Sequence, residues 1–227
     1  MAVVKFIETP TEGVKEVYQN AENFFGHVPN LVKALGNNKN MCTSITNFLI
    51  QSLGEGRVNW ALKELIILKT LLAMGSHYGF GAHEKIAQEL GVSAAKIGDL
   101  NNSLWEKSPH FSEKEKLVFE LIDQIGIDAN DVKPALWEKL KKHYNNDQLI
   151  EINAVITTFI MIGRVGDALG VSDPILFSKS VAKSAADIQA MKEPALVAYA
   201  NAIGIDASVD DLKKDTLAKV MSHLNLN

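Results

Sequence analysis

Cysteine, arginine and proline are scarce in this chain, and each shortage argues against a class of protein. Cys42 is the only cysteine in 227 residues. One thiol cannot close an internal disulfide, which argues against a disulfide-built scaffold and fits a reducing compartment. On its own it reads as a small, buried or half-buried apolar side chain, with pairing to another chain as the alternative. Six prolines and 15 glycines are too few for a disordered or loop-rich design. The only arginines are Arg57 and Arg164. Positive charge is otherwise lysine, a poorer planar fork for a carboxylate or phosphate, so an anion site would lean on one of those two. No basic run occurs and the formal net charge is −4, so nucleic acid is not an expected partner. Long uninterrupted apolar runs are missing as well. Lys63, Glu64 and Lys69 break one candidate and Glu151, Asn153 and Arg164 break the other, so no membrane span is expected. The opening stretch, Met1 to Glu8, lacks the basic head and apolar run of a secretory signal. A cytoplasmic location is the expectation.

What the sequence does have is helical spacing almost throughout, with little strand alternation. The length suits one large domain or one domain with an appendage, and the 47% hydrophobic content suits a sizeable core. Thr11 is expected to cap a helix to about Asn20, residues 24–30 to form a turn, and Pro29 to take a first helical position. Asn59 is expected to cap a long helix over 60–74 that is apolar nearly all round, the mark of a buried central helix. Further helices are expected from Gly79 to Leu90, after the Ser93 cap, and after the Ser112–Glu115 capping box. Pro134 starts another. Asn146 is expected to cap a second long apolar helix over 147–169. Three more helical patterns, over 174–192, 194–203 and 208–224, make up the tail. Leu-Gly-Val-Ser occurs at both 90–93 and 169–172, and Glu64 and Glu151 sit near the starts of the two buried helices. This is a faint internal echo.

The residues best placed for chemistry lie between Glu64 and His83. On the central helix Glu64, Ile67, Leu68 and Leu71 share a face by three-and-four spacing. Burial opposes ionisation of such a carboxyl unless a partner charge is near, a balance that suits a general acid or base. His83 shares its own helix face with Phe80, Ala87 and Leu90 and should also point inward. A carboxylate beside it would set its tautomer and orientation. The competing reading is a structural Glu–His hydrogen bond. Between them, Ser76-His77-Tyr78-Gly79-Phe80-Gly81 offers glycines for close ligand approach and a tyrosine hydroxyl for a substrate oxygen. His77 reads as a second base or a solvated loop residue, Ser76 as a cap or turn residue. Arg164, isolated among apolar residues, either receives a substrate carboxylate or pairs internally with Asp167.

Glu64 to Leu68 followed by Gly75 to His83 resembles the core motif of the carboxymuconolactone decarboxylase / alkylhydroperoxidase D superfamily. That motif is a glutamate on a long helix, then Cys-x-x-Cys-x-x-x-His opening the next. Residues 25–31, 111–115 and 147–170 resemble further segments of its peroxidase-related branch. The resemblance implies an all-α, alkylhydroperoxidase D-like helical bundle with two buried central helices over 1–175, plus a C-terminal helical extension over 176–227. It implies Glu64 and His83 as relay residues, with Ser76 and Gly79 standing where the two cysteines would be. Peroxide reduction of that type needs a thiolate and a resolving thiol, and both are missing from the motif. The expected activity is then a cofactor-free acid–base enzyme, a decarboxylase-like lyase or proton-transfer catalyst on a small lactone or carboxylate. Glu64, His83 and Tyr78 are its catalytic candidates, and Ser76, His77, Gly79 and Arg164 its substrate-binding candidates. The alternatives are an alkylhydroperoxidase-like antioxidant protein borrowing outside thiols, Cys42 included, and a non-catalytic binding or scaffold member. No bound metal is expected, and the resemblance implies a homo-oligomer, trimer or hexamer.

Overall fold

A computed structural model describes residues 2–76, 78–172, 185–191, 193–205, 207 and 213–226. Among them the regular structure is helical and no strand occurs. The order is α1 (Lys15–Phe25), α2 (Asn30–Leu35), α3 (Lys39–Leu53), α4 (Trp60–Met74), α5 (Phe80–Glu89), α6 (Ala94–Asn101), α7 (Glu113–Asp128), a 3-10 turn (Ala129–Asp131), α8 (Pro134–Leu140), α9 (Asn146–Ala168), α10 (Ala185–Ala190), α11 (Glu193–Ala202) and α12 (Lys213–His223).

Several local signals act as expected. The Asn59 side chain accepts from Leu62 N at 2.8 Å and opens α4. Ser93 caps α6, and the Ser112–Glu115 box opens α7. Other boundaries differ. Thr11 caps no helix: residues 11–14 form a turn, with Val14 N donating to Thr11 O, and α1 starts at Lys15. It then runs through Phe24 and Phe25 until Gly26 turns left-handed, so the two phenylalanines end a helix instead of forming a turn. Pro29 is the residue before α2 and not its first. The cap of α9 is Asn145, exchanging hydrogen bonds with Gln148, and not Asn146. Part of the expected 174–192 helix lies outside the described residues.

The central element is α4, with eleven of its fifteen residues buried and packed against α9, α7 and α5. Three of the eleven are charged: Lys63 (1% exposed), Glu64 (2%) and Lys69 (8%). A charge held in an apolar interior must be paired, and each is paired through a different neighbour. Lys69 meets Asp123 of α7 and lies over the Trp105 ring. Glu64 meets His83 of α5. Lys63 Nζ lies 2.5 Å from Glu151 Oε1 of α9 and also donates to Ser52 O and Gly54 O. Two of its donors are thus taken by backbone carbonyls, and the carboxylate meets its charge. Glu151 Oε2 accepts from the backbone N–H of Arg57 (2.6 Å) and Val58 (3.2 Å), clamping the α3–α4 loop to the start of α9.

By length and composition α9 could cross a bilayer, yet half of its most apolar window is buried within the protein. Its inward face includes Ile152, Val155, Ile156, Phe159 and Ile162. The C-terminal helices gather a separate apolar cluster of Ile188, Leu196, Val197, Tyr199, Val220 and Met221 around Trp60 at the start of α4. The Trp60 and Tyr199 rings meet edge to face, and Arg57 Nη1 donates to Ala207 O at 3.2 Å.

Glu151→Ala removes the partner of a buried ammonium and releases the loop amides, so it is expected to cost about 3 kcal/mol of unfolding free energy in urea titration. A loss under about 1 kcal/mol would mean that Lys63 finds water or another anion.

Candidate functional site

The site is built where α4 turns back into α5. Gly75 closes α4, and Gly79 opens α5 with φ of 73°. That left-handed conformation favours glycine at position 79, since a Cβ there is strained. The turn places His83, on the first turn of α5, against Glu64 in the middle of α4. Glu64 Oε2 lies 2.7 Å from His83 Nδ1. The Phe159 ring of α9 meets the imidazole edge to face, centroids 4.9 Å apart. With Nδ1 committed to the carboxylate, Nε2 is the ring nitrogen left to meet a ligand. A Cβ built at Gly79 would sit 3.5 Å from His83 Cδ2 and 3.9 Å from Nε2. The missing side chain thus leaves space along that edge of the ring.

The pair faces a cavity of about 50 Å³ lined by Glu64, Tyr78, Gly79 and His83, and otherwise by apolar side chains. Phe24, Phe25, Pro29 and Leu31 come from α1 and α2, Leu49 and Leu53 from α3, Ile86 from α5, and Phe159 and Ile162 from α9. At roughly 10–15 Å³ per water position, that volume holds a few waters or one small ligand. The described lining contains no lysine and no arginine.

The remaining sequence candidates divide sharply. Tyr78 reaches the cavity, and its backbone N–H donates to Asp167 Oδ1 at 3.2 Å. Gly79 reaches it as well. Ser76 does not line it: the side chain is buried against α9, where a Cβ at Gly163 would come within 2.7 Å of Ser76 Oγ, and that oxygen has no hydrogen-bond partner. His77 lies outside the described residues. Arg164 is a correction. It is exposed on another face of α9 from Phe159 and Ile162, with Nη2 3.9 Å from Met74 Sδ, because two residues on from Ile162 the helix has turned about 200°. Nor does it pair with Asp167, which holds Tyr78 instead. Cys42 is fully buried on α3 in a cluster with Val14, Val17, Tyr18 and Val32, its thiol directed at Val32 O. Burial pushes that thiol above its ordinary pKa, the opposite of a reactive cysteine.

Sequence reasoning missed two contributors. Phe24 and Phe25 wall the cavity because α1 continues one turn further than its pattern suggested. Gly166 seats the Tyr78 ring: a Cβ there would fall 2.5 Å from Tyr78 Cγ. A glycine inside a long helix, otherwise unfavourable, was the available signal.

No family model matches the sequence. An uncharacterized protein of Bacillus subtilis (strain 168), YdfG, is 23% identical over 117 residues, which are 51% of this chain and 78% of that one. Among solved structures, an uncharacterized peroxidase-related protein from Silicibacter sp. TM1040 aligns with a TM-score of 0.65 at 18% identity, over 76% of this chain and 90% of that one. A peroxidase-related protein from Ralstonia eutropha JMP134, described as an alkylhydroperoxidase AhpD core, gives 0.64 at 16%, over 75% and 90%. The debrominase Bmp8 in complex with 2,3,4-tribromopyrrole gives 0.63 at 17%, over 77% and 94%. The chain therefore has the all-helical alkylhydroperoxidase D-like fold, and with one cysteine it has no Cys-x-x-Cys pair.

Two measurements follow from this geometry. Cys42 is expected to resist a thiol reagent such as DTNB in the native protein and to react fully once unfolded in urea; rapid native reaction would mean that α3 opens locally. Gly166→Ala gains up to about 1 kcal/mol of helix propensity but drives a methyl into the Tyr78 ring, so a net loss of about 1–3 kcal/mol is expected. A net gain would show that the ring moves aside freely.

Proposed function

We propose that this chain is a cofactor-free acid–base enzyme acting on a small molecule. His83 is the catalytic residue, and Glu64 is the positioning residue that orients it. One observation carries the reading. Of the three charged side chains buried along α4, Glu64 is the one that, with its partner His83, lines a described cavity.

The chemistry follows from the geometry. Nε2 takes a proton from a substrate C–H, and the imidazolium that forms is balanced by the Glu64 carboxylate on the other side of the ring. Apolar walls strengthen that attraction relative to water. The same proton returned to another atom of the substrate completes a proton shift of the kind needed to isomerise, or to follow decarboxylation of, a small lactone. Tyr78, held by Asp167 and seated on Gly166, forms part of the wall against which the substrate lies.

Thiol peroxidase chemistry is the weaker reading. The two motif positions hold Ser76 and Gly79, and Cys42 is walled into another cluster. The same fold in a debrominase holds 2,3,4-tribromopyrrole, which supports a small ring as an acceptable occupant of this architecture. Homo-oligomeric assembly goes with this reading, supported by the half of the apolar α9 window that the described core leaves uncovered.

1,2-Benzisoxazole, a neutral fused bicycle, is a suitable probe because its elimination needs no carboxylate and reports a general base directly. The base removes the C3 proton, the N–O bond breaks, and a nitrile and phenolate form. Wild-type protein is expected to exceed His83→Asn by about 10²-fold or more in this elimination. Asparagine retains an N–H for Glu64, so the folded state is kept, to be checked by circular dichroism. Equal rates for the two proteins would overturn the acid–base reading and leave a binding protein in its place.

A further inference from the structure

We infer that the ligand of the Glu64–His83 cavity is an uncharged, single-ring molecule carrying one acidic O–H or N–H, of the phenol or azole type, and not a carboxylate. The inference rests on the acid–base reading and narrows its substrate class to proton shifts on an uncharged ring, setting decarboxylation aside.

Charge balance is the first argument. A neutral imidazole beside an ionised Glu64 gives the pair a charge of −1; an imidazolium beside the same carboxylate gives zero. Neither of these two states offers net positive charge to an incoming anion. Among the described residues no lysine or arginine lines the cavity. Lys63 is spent on Glu151 and Lys69 on Asp123. Arg57 is turned to Ala207 O and Arg164 is exposed beside Met74. A carboxylate entering the cavity would lose its hydration without a counter-ion, at a cost larger than packing against the apolar walls returns.

The shape of the cavity supplies the second argument. Its volume of about 50 Å³ is below the roughly 150 Å³ of an apolar cavity that admits benzene, so a guest is limited to one ring at most and its walls must give to admit it. Aliphatic walls from Leu49, Leu53, Ile86 and Ile162 face aromatic ones from Phe25 and Phe159, which suits a flat apolar body. The polar group of that ligand has one well-defined partner, His83 Nε2, in the space left by Gly79. An O–H or N–H donor there makes a hydrogen bond to the imidazole. If its proton passes to Nε2, the ring anion that remains lies beside an imidazolium already compensated by Glu64. One proton moves, no bond to a heavy atom changes, and no redox partner is required.

The test is titration calorimetry of the full chain near neutral pH with phenol, benzene and benzoate, on wild type and His83→Asn. Phenol is expected to bind wild type at least about tenfold more tightly than benzoate and more tightly than benzene, and to fall to the level of benzene in His83→Asn. Benzoate binding as tightly as phenol, phenol binding indifferent to His83→Asn, or no binding by any of the three would each overturn the inference. Phenol binding as expected together with equal benzisoxazole rates would sink the acid–base reading while leaving the ligand class standing. The reverse combination would do the opposite.

Discussion

The structure depends on how one very apolar helix disposes of its charges. Lys63 and Glu64 cannot reach water and Lys69 barely does, because α9, α7 and α5 surround α4. A buried charge without a partner costs several kcal/mol. Each charge therefore requires one opposite group from one particular neighbour: Glu151 from α9, His83 from α5, Asp123 from α7. Apolar contacts alone allow a helix to slide or rotate against its neighbours at small cost. Three pairs pointing three ways do not, and they set the depth and rotation of α4 against every helix it touches.

The same constraint separates structure from chemistry. The Lys63 ammonium meets a carboxylate and two backbone carbonyls, and that carboxylate also holds two loop amides, so the pair works as a clamp. The Glu64–His83 pair is half complete. Its Nδ1 side is closed by the carboxylate, while the other edge of the ring faces a hollow that a side chain at position 79 would narrow. A buried pair with one free proton-carrying atom beside an apolar cavity can exchange protons with a guest; a saturated pair cannot. The faint echo between Glu64 and Glu151 thus ends in two different settings for a carboxylate, one beside a cavity and one clamping a loop.

The loop between α4 and α5 is held from outside as well. Ser76 lies against Gly163 and Tyr78 against Gly166, while Asp167 takes the Tyr78 amide. One face of α9 thereby forms a shallow bed for the turn that carries Gly79 toward His83. Solved proteins sharing this fold include peroxidase-related proteins and a debrominase. In this chain the corresponding turn carries no sulfur, and the histidine faces open space where the motif would place a thiol.

The all-helical class, the buried character of α4, the Asn59, Ser93 and Ser112 caps and the inward direction of Glu64 and His83 were legible in the sequence, because all follow from local periodicity and capping chemistry within a turn or two. Local signals misplaced the start of α1, the cap of α9 and the direction of Arg164. Thr11 and Asn146 are good caps by residue type, but which of several candidates acts depends on where packing begins the helix. Arg164 was judged by its apolar neighbours in sequence, whereas its exposure follows from helical phase relative to partners elsewhere in the chain. That Glu64 meets His83 over a hollow, while Lys63 and Lys69 meet carboxylates, was beyond sequence. Pairing between helices and the empty volume they leave are set by the joint placement of α1, α3, α4, α5 and α9, and no single segment contains that information.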